Sequence, residues 1–139
     1  LEGRLGARTV FAQEREMDET QRGAFLARLV PGENAVGLAV LGGIFSEGVD
    51  LPGDRLVAVT VIGIGLPRLS LERDLLQAHF EATRGAGFDF AYRFPGMQRV
   101  LQAVGRLIRT ESDRGSALLI DQRFTERRTR VLFPAWWGV

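Results

Sequence analysis

Three short apolar runs set the terms on which this chain can fold. Residues 35–41, 56–64 and 116–120 are built almost wholly of Ala, Val, Leu, Ile and Gly. Each is too short to be a buried helix, and none alternates polar with apolar as a half-exposed strand does. Their length and β-branched content predict strands buried on both faces of a parallel sheet. Between them lie longer stretches with a helical period. Strands alternating with helices define an α/β chain with a mostly parallel sheet, right-handed crossovers and helices on both faces. Ligands in such folds sit at the carboxyl ends of the strands.

The helices are marked by their caps. Asp18, with Gln21 three residues on, is a capping box, followed by the apolar Phe25, Leu26 and Leu29 and ended by Pro31-Gly32. Ser70 caps a longer helix with Leu71, Leu75, Ala78 and Ala82 on one side, broken at Gly85-Ala86-Gly87. Pro95 suits the first turn of the next helix, which the pattern carries to about residue 109. Residues 88–94 fit either a strand, from their alternating aromatics, or a helical turn. Residues 8–13 read as a short strand and residues 125–132 as a short helix. Residues 1–7 show no period and are expected to be a flexible start, leaving 8–139 as one domain.

Two absences narrow the chemistry. All 18 basic residues are Arg, so the chain has no Lys with which to build a phosphate-binding loop of the Walker type. It also has no Cys, which excludes disulfides, thiolate metal sites and iron–sulfur clusters within these residues and fits a cytoplasmic protein. The net charge of +1 offers no bulk attraction to nucleic acid, so any basic surface must be local. No apolar run reaches the length of a membrane span. The single His79 has no partners for a metal cluster or a triad, and Ser46 and Ser70 have no adjacent base.

Against this background one helical stretch stands out. Gln102, Arg106 and Arg109 are spaced four and three apart, which stacks an amide and two guanidinium groups on one face. Leu101, Val104 and Ile108 are the expected buried stripe opposite. Guanidinium groups on a core-anchored helix suit phosphate. Either they face a transferring phosphoryl group, or they pair with acids such as Asp50, Glu111 or Asp113. The second candidate is the loop 42–53, which follows a strand end. Its glycines allow backbone N–H groups close to a ligand. Its Glu47 and Asp50 either accept from ribose, an Arg or a Mg²⁺-bound water, or are simply solvated. Arg114, Arg123, Arg127, Arg128 and Arg130 either track a nucleic-acid backbone or form a solvated face, and Trp136 and Trp137 either stack on bases or, as their place after a Pro favours, anchor the chain end.

Taken together these stretches resemble a known family. Phe45-Ser-Glu-Gly-Val-Asp-Leu-Pro-Gly53 is similar to motif V of the XPD/Rad3/DinG DNA helicases of superfamily 2. Gln102-Ala-Val-Gly-Arg-Leu-Ile-Arg109, with Asp113-Arg-Gly115 and Leu118-Leu-Ile-Asp-Gln-Arg123, is similar to motif VI and the strand after it. Gly87-Phe-Asp-Phe-Ala-Tyr-Arg-Phe-Pro-Gly-Met97 and Leu132-Phe-Pro-Ala-Trp136 resemble bacterial Rad3-related members, and the likeness runs over roughly residues 8–137. It implies the second RecA-like motor domain of a helicase, truncated at its N-terminal edge, where motif IV is not seen. It further implies that Arg109 is an arginine finger and Arg106 a second phosphate or coupling contact. Gly48, Asp50, Gln102 and Gly105 would then face ATP, and Ser46, Glu47 and Arg68 would couple to DNA. Many relatives carry an aromatic where Arg68 stands. ATP with Mg²⁺ would be held mainly by a first motor domain, and any iron–sulfur cluster would lie there too. Single-stranded DNA and that first domain are the implied partners. The alternative from another class is a non-catalytic DNA- or protein-interaction module on the same fold.

Overall fold

The computed structural model describes residues 2–5, 8–45, 51, 53–108 and 113–137. Strand β1 (Glu2–Leu5) runs antiparallel to β2 (Arg8–Ala12), and β2 pairs in parallel with β3 (Ala35–Leu38). Helix α1 (Glu19–Ala27) makes the crossover between β2 and β3. Strand β4 (Ala58–Ile62) pairs in parallel with β5 (Ser116–Ile120), in register from Ala58↔Ser116 to Ile62↔Ile120. Helices α2 (Leu71–Arg84) and α3 (Phe94–Val104) lie in the chain between them. A short helix α4 (Arg127–Arg130) follows β5. The chain is therefore α/β, with parallel pairs joined through helices as the apolar runs predict.

The caps form as the sequence requires. The Asp18 carboxylate accepts from the backbone N–H of Gln21 at 2.8 Å, and the Gln21 amide oxygen accepts from the N–H of Asp18 at 2.9 Å. Ser70 Oγ accepts from the N–H of Arg73, and Gly85 closes α2 in the left-handed conformation.

Two apolar clusters hold the elements. Phe11, Phe25, Phe45 and Leu51 make the first, with Phe25 edge-on to Phe11 at 4.7 Å and tilted over Phe45 at 4.4 Å. Val61 and Ile64 meet Met97, Val100, Val104, Leu107 and Phe124 in the second, which joins β4 to α3 and the segment after β5.

Several expectations are corrected. Residues 2–5, read as irregular, pair as a strand because β2 offers them an open edge. Strands β3 and β4 are shorter than their apolar runs, β5 fills its run from Ser116 to Ile120, and none of the three is buried on both faces. On the β4–β5 pair α3 covers one face, while Thr60, Ile62, Leu118 and Ile120 are exposed among the described residues, Ile62 to 77%. The stripe on α2 also points outward, with Leu71 and Leu75 74% and 62% exposed. Of the two readings left open for residues 88–94, the helical one holds. The expected helix over 125–132 is split into a tight turn at Gln122–Thr125 and the single turn of α4. At the chain end only Trp137 is anchored, stacked on Phe133, while Trp136 is exposed.

Candidate functional site

The site is built on α3, and α3 begins in an unusual way. Residues Asp89–Arg93 form a π-helical turn that runs straight into the α-helix, with the N–H of Phe94 donating to the carbonyl of Asp89. Pro95 has no N–H to give the carbonyl of Ala91, four residues back. That carbonyl accepts instead from the Arg73 guanidinium of α2 at 3.1 Å, which satisfies a group buried in the fold. Arg93 is buried beside Asp89, with Glu126 at 3.7 Å and the Phe88 ring under its guanidinium. The start of α3 is thus clamped by α2 on one side and by the segment after β5 on the other.

Along α3 the buried stripe is Met97, Val100, Val104 and Leu107, each nearly or wholly out of solvent. This corrects the expected stripe of Leu101, Val104 and Ile108, since Leu101 is only half-buried and Ile108 is exposed. The spacing of the two stripes is alike, and the choice between them is made by the strand that α3 meets. Gly96 allows the close approach: a Cβ there would lie 2.4 Å from the carbonyl oxygen of Ile64.

The regular helix stops at Val104, not at residue 109. The N–H of Gly105 still reaches the Leu101 carbonyl at 2.8 Å, but Arg106 and Leu107 reach back only three residues, to Ala103 and Val104. Buried Leu107 then pins this tightened turn to the core. Gln102 and Arg106 therefore do not lie on one continuous α-helix. Gln102 is exposed on the last turn of α3, Gly105 is exposed at its cap, and Arg106 is half-buried just beyond. Arg109 lies outside the described residues.

The second candidate loop is described only at its ends. Ser46, Glu47, Gly48 and Asp50 lie outside the described residues. Phe45 and Leu51, on either side of them, are both buried in the phenylalanine cluster, so the two ends of the loop share one anchor. The loop departs at Gly42, whose φ of 78° is left-handed. Arg99 of α3 lies against it, so that a Cβ on Gly42 would come within 2.8 Å of the Arg99 Cδ and Nε. Arg99 Nη1 donates to the carbonyl of Gly65, beyond β4, at 3.0 Å. Arg68 follows three residues later and is exposed.

At the carboxyl ends of β4 and β5 the N–H of Gly63 donates to the carbonyl of Ile120. Asp121 follows at once and accepts three bonds from Arg123, from its backbone N–H at 2.9 Å, Nε at 2.8 Å and Nη2 at 2.6 Å. These bonds hold the Asp121 carboxyl down at about 2. Tyr92 is shifted the other way: burial and the neighbouring Asp74 carboxylate raise its hydroxyl above the ordinary value.

The donor set at the end of α3, an amide and a guanidinium beside an open glycine cap, fits the phosphates of a nucleotide. No group of three or more His, Cys, Asp or Glu able to hold a metal exists among the described residues. Arg99 and Arg73 are the residues that sequence reasoning missed. Arg99 had a signal, since it stands three residues before Gln102. Arg73 had none, because its partner is a carbonyl orphaned by a proline 22 residues away.

The family model described as "Helicase C-terminal domain" matches residues 2–139. The chain belongs to that family, and within it to the XPD/DinG type. It is 37% identical over 124 residues to Regulator of telomere elongation helicase 1 of Bos taurus, covering 81% of this chain and 10% of that protein. It is 38% identical over 120 residues to ATP-dependent DNA helicase YoaA of Escherichia coli, covering 84% of this chain and 18% of that protein. ATP-dependent DNA helicase DinG of Photobacterium profundum is 40% identical over 96 residues, 62% of this chain and 13% of that protein. The fold is similar to a solved XPD helicase, with a TM-score of 0.68 and 20% identity over 92% of this chain and 23% of that one. That likeness identifies the fold as RecA-like. The chain thus spans between a tenth and a fifth of the length of these curated relatives. No helix among the described residues is long and apolar enough to cross a membrane.

Proposed function

We propose that residues 8–139 act as the second motor domain of a cytoplasmic ATP-dependent DNA helicase and supply one wall of an ATP site whose other wall is a first motor domain. The observation that carries this reading is the open, core-anchored end of α3. Gln102, Gly105 and Arg106 stand there beside a helix locked by Met97, Val100, Val104 and Leu107, in a chain with no Lys to hold phosphate alone. Membership of the helicase family supports it.

In this reading Arg109 is the arginine finger. Its guanidinium meets the negative charge that grows on the transferring γ-phosphoryl group. Arg106 makes a second phosphate contact, and Gln102, Gly105, Gly48 and Asp50 complete the nucleotide side. Ser46, Glu47 and Arg68 pass the nucleotide state to single-stranded DNA. ATP, with its Mg²⁺ held by the first domain, closes the cleft, and hydrolysis reopens it to advance the motor. What this chain contributes is orientation and positive charge, delivered by a helix that cannot shift without opening the core.

The test is DNA-stimulated ATPase activity of the complete protein. Arg109→Ala should lower kcat by about 10³ or more, the scale expected for a finger. A rate within about twofold of the parent would exclude that role.

A further inference from the structure

Arg99 is the one guanidinium on α3 that touches two loops at once. Its stem lies on Gly42, where the chain leaves β3 toward residues 46–50, and its Nη1 donates to the Gly65 carbonyl, where the chain leaves β4. It stands one turn before Gln102 on the same face of α3. A Cβ on Gly42 would lie 2.8 Å from the Arg99 Cδ and Nε, so the side chain could not lie as it does with any other residue there. A lysine has the length to reach the Gly65 carbonyl but no planar head to lie along the glycine while doing so.

We propose that Arg99 is a positioning residue that fixes the loop after β3 against the nucleotide-facing end of α3. The inference rests on the function proposed above. The loop from Gly42 carries Ser46, Glu47, Gly48 and Asp50, and α3 carries Gln102 and leads to Arg106. Leu41 and Leu56 give this part of the chain apolar packing on the α3 cluster, and Arg99 adds the polar tie that fixes the start of the loop at Gly42 to α3. Arg99 thereby couples the loop to the helix without itself meeting nucleotide or DNA.

The experiment compares Arg99→Ala, Arg99→Gln and Arg99→Lys with Arg106→Ala in the complete protein, with ATPase measured with and without single-stranded DNA. Loss of the coupling should cut the stimulation by DNA about tenfold in Arg99→Ala, the size of a typical coupling between linked sites. The KM for ATP should stay within about twofold, because uniform substrate binding is untouched. Arg99→Lys should regain part of the stimulation through its single bond to Gly65. A purely structural role would lower the yield of active protein and leave the stimulation ratio per active molecule unchanged. That result, or a normal ratio in Arg99→Ala, overturns the proposal. If Arg99→Ala does not fold, Arg99→Gln is read in the same way, and a normal ratio there overturns it too. Arg106→Ala separates the two claims. If it abolishes turnover while the Arg99 variants stimulate normally, only the role of Arg99 fails. If it leaves turnover intact, the nucleotide-facing reading fails.

Discussion

Helices α2 and α3 are adjacent in the chain, both are amphipathic, and they pack in opposite senses. On α3 the apolar stripe is buried against β4, while Gln102 and Gly105 at its end are exposed. On α2 the stripe of Leu71, Leu75, Ala78 and Ala82 faces out, and none of its residues is fully buried. What holds α2 is its other side: Arg73 on the Ala91 carbonyl, and Phe80 stacked on Phe90 at 4.1 Å. A hydrophobic period therefore identifies a helix but does not say which side the protein uses. Here the second side is chosen by a proline-made vacancy in the hydrogen-bonding of the neighbouring helix.

The contrast predicts a graded set of stability changes, each measured by chemical denaturation. Met97→Ala should be the most damaging, at about 3 kcal/mol, because it opens a cavity under α3. Arg73→Ala comes next, at about 2 kcal/mol, since it leaves the Ala91 carbonyl unsatisfied. If it proves silent, α2 is not held by that bond. Leu75→Ala, although it removes the same class of side chain as a core truncation, should change stability by less than about 0.5 kcal/mol. A loss above about 2 kcal/mol there would mean that the outward stripe of α2 is covered in solution.

Between these two extremes lies Asp121, at the strand ends. Asp121→Asn should cost about 1 kcal/mol at neutral pH, modest because its partner Arg123 is partly solvated. The sign with pH follows from the depressed carboxyl. Its folded value of about 2 lies below the ordinary 3.8, so the pair stabilises fully above that ordinary value. The gap between parent and variant should then close as pH falls from about 4 to about 2. A gap that persists at the acid end would assign the effect to packing.

Much of this arrangement was legible in the residues. The capping box of Asp18 and Gln21, the Ser70 cap and the three strands follow from local chemistry, which is fixed over three or four residues. The family likeness was legible too, because motifs 45–53 and 102–109 hold several fixed side chains each. The end of α3 was not. Gln102, Arg106 and Arg109 keep a helical spacing, yet Gly105 and buried Leu107 tighten the chain into a three-residue turn before that spacing is used. Nor did the apolar runs reveal that Ile62 and Leu118 would be exposed, since a run of apolar residues reads the same whether one face or both are covered. Arg99 escaped notice because both of its contacts, Gly42 and Gly65, are distant in sequence and present only backbone.

The central claim is that this chain holds half of an ATP site. Phosphate release by the 139-residue chain alone, with ATP, Mg²⁺ and single-stranded DNA present, tests it most directly. The account predicts no turnover above a protein-free blank. Sustained hydrolysis that Arg106→Ala removes would contradict it, because the chain would then contain a complete site.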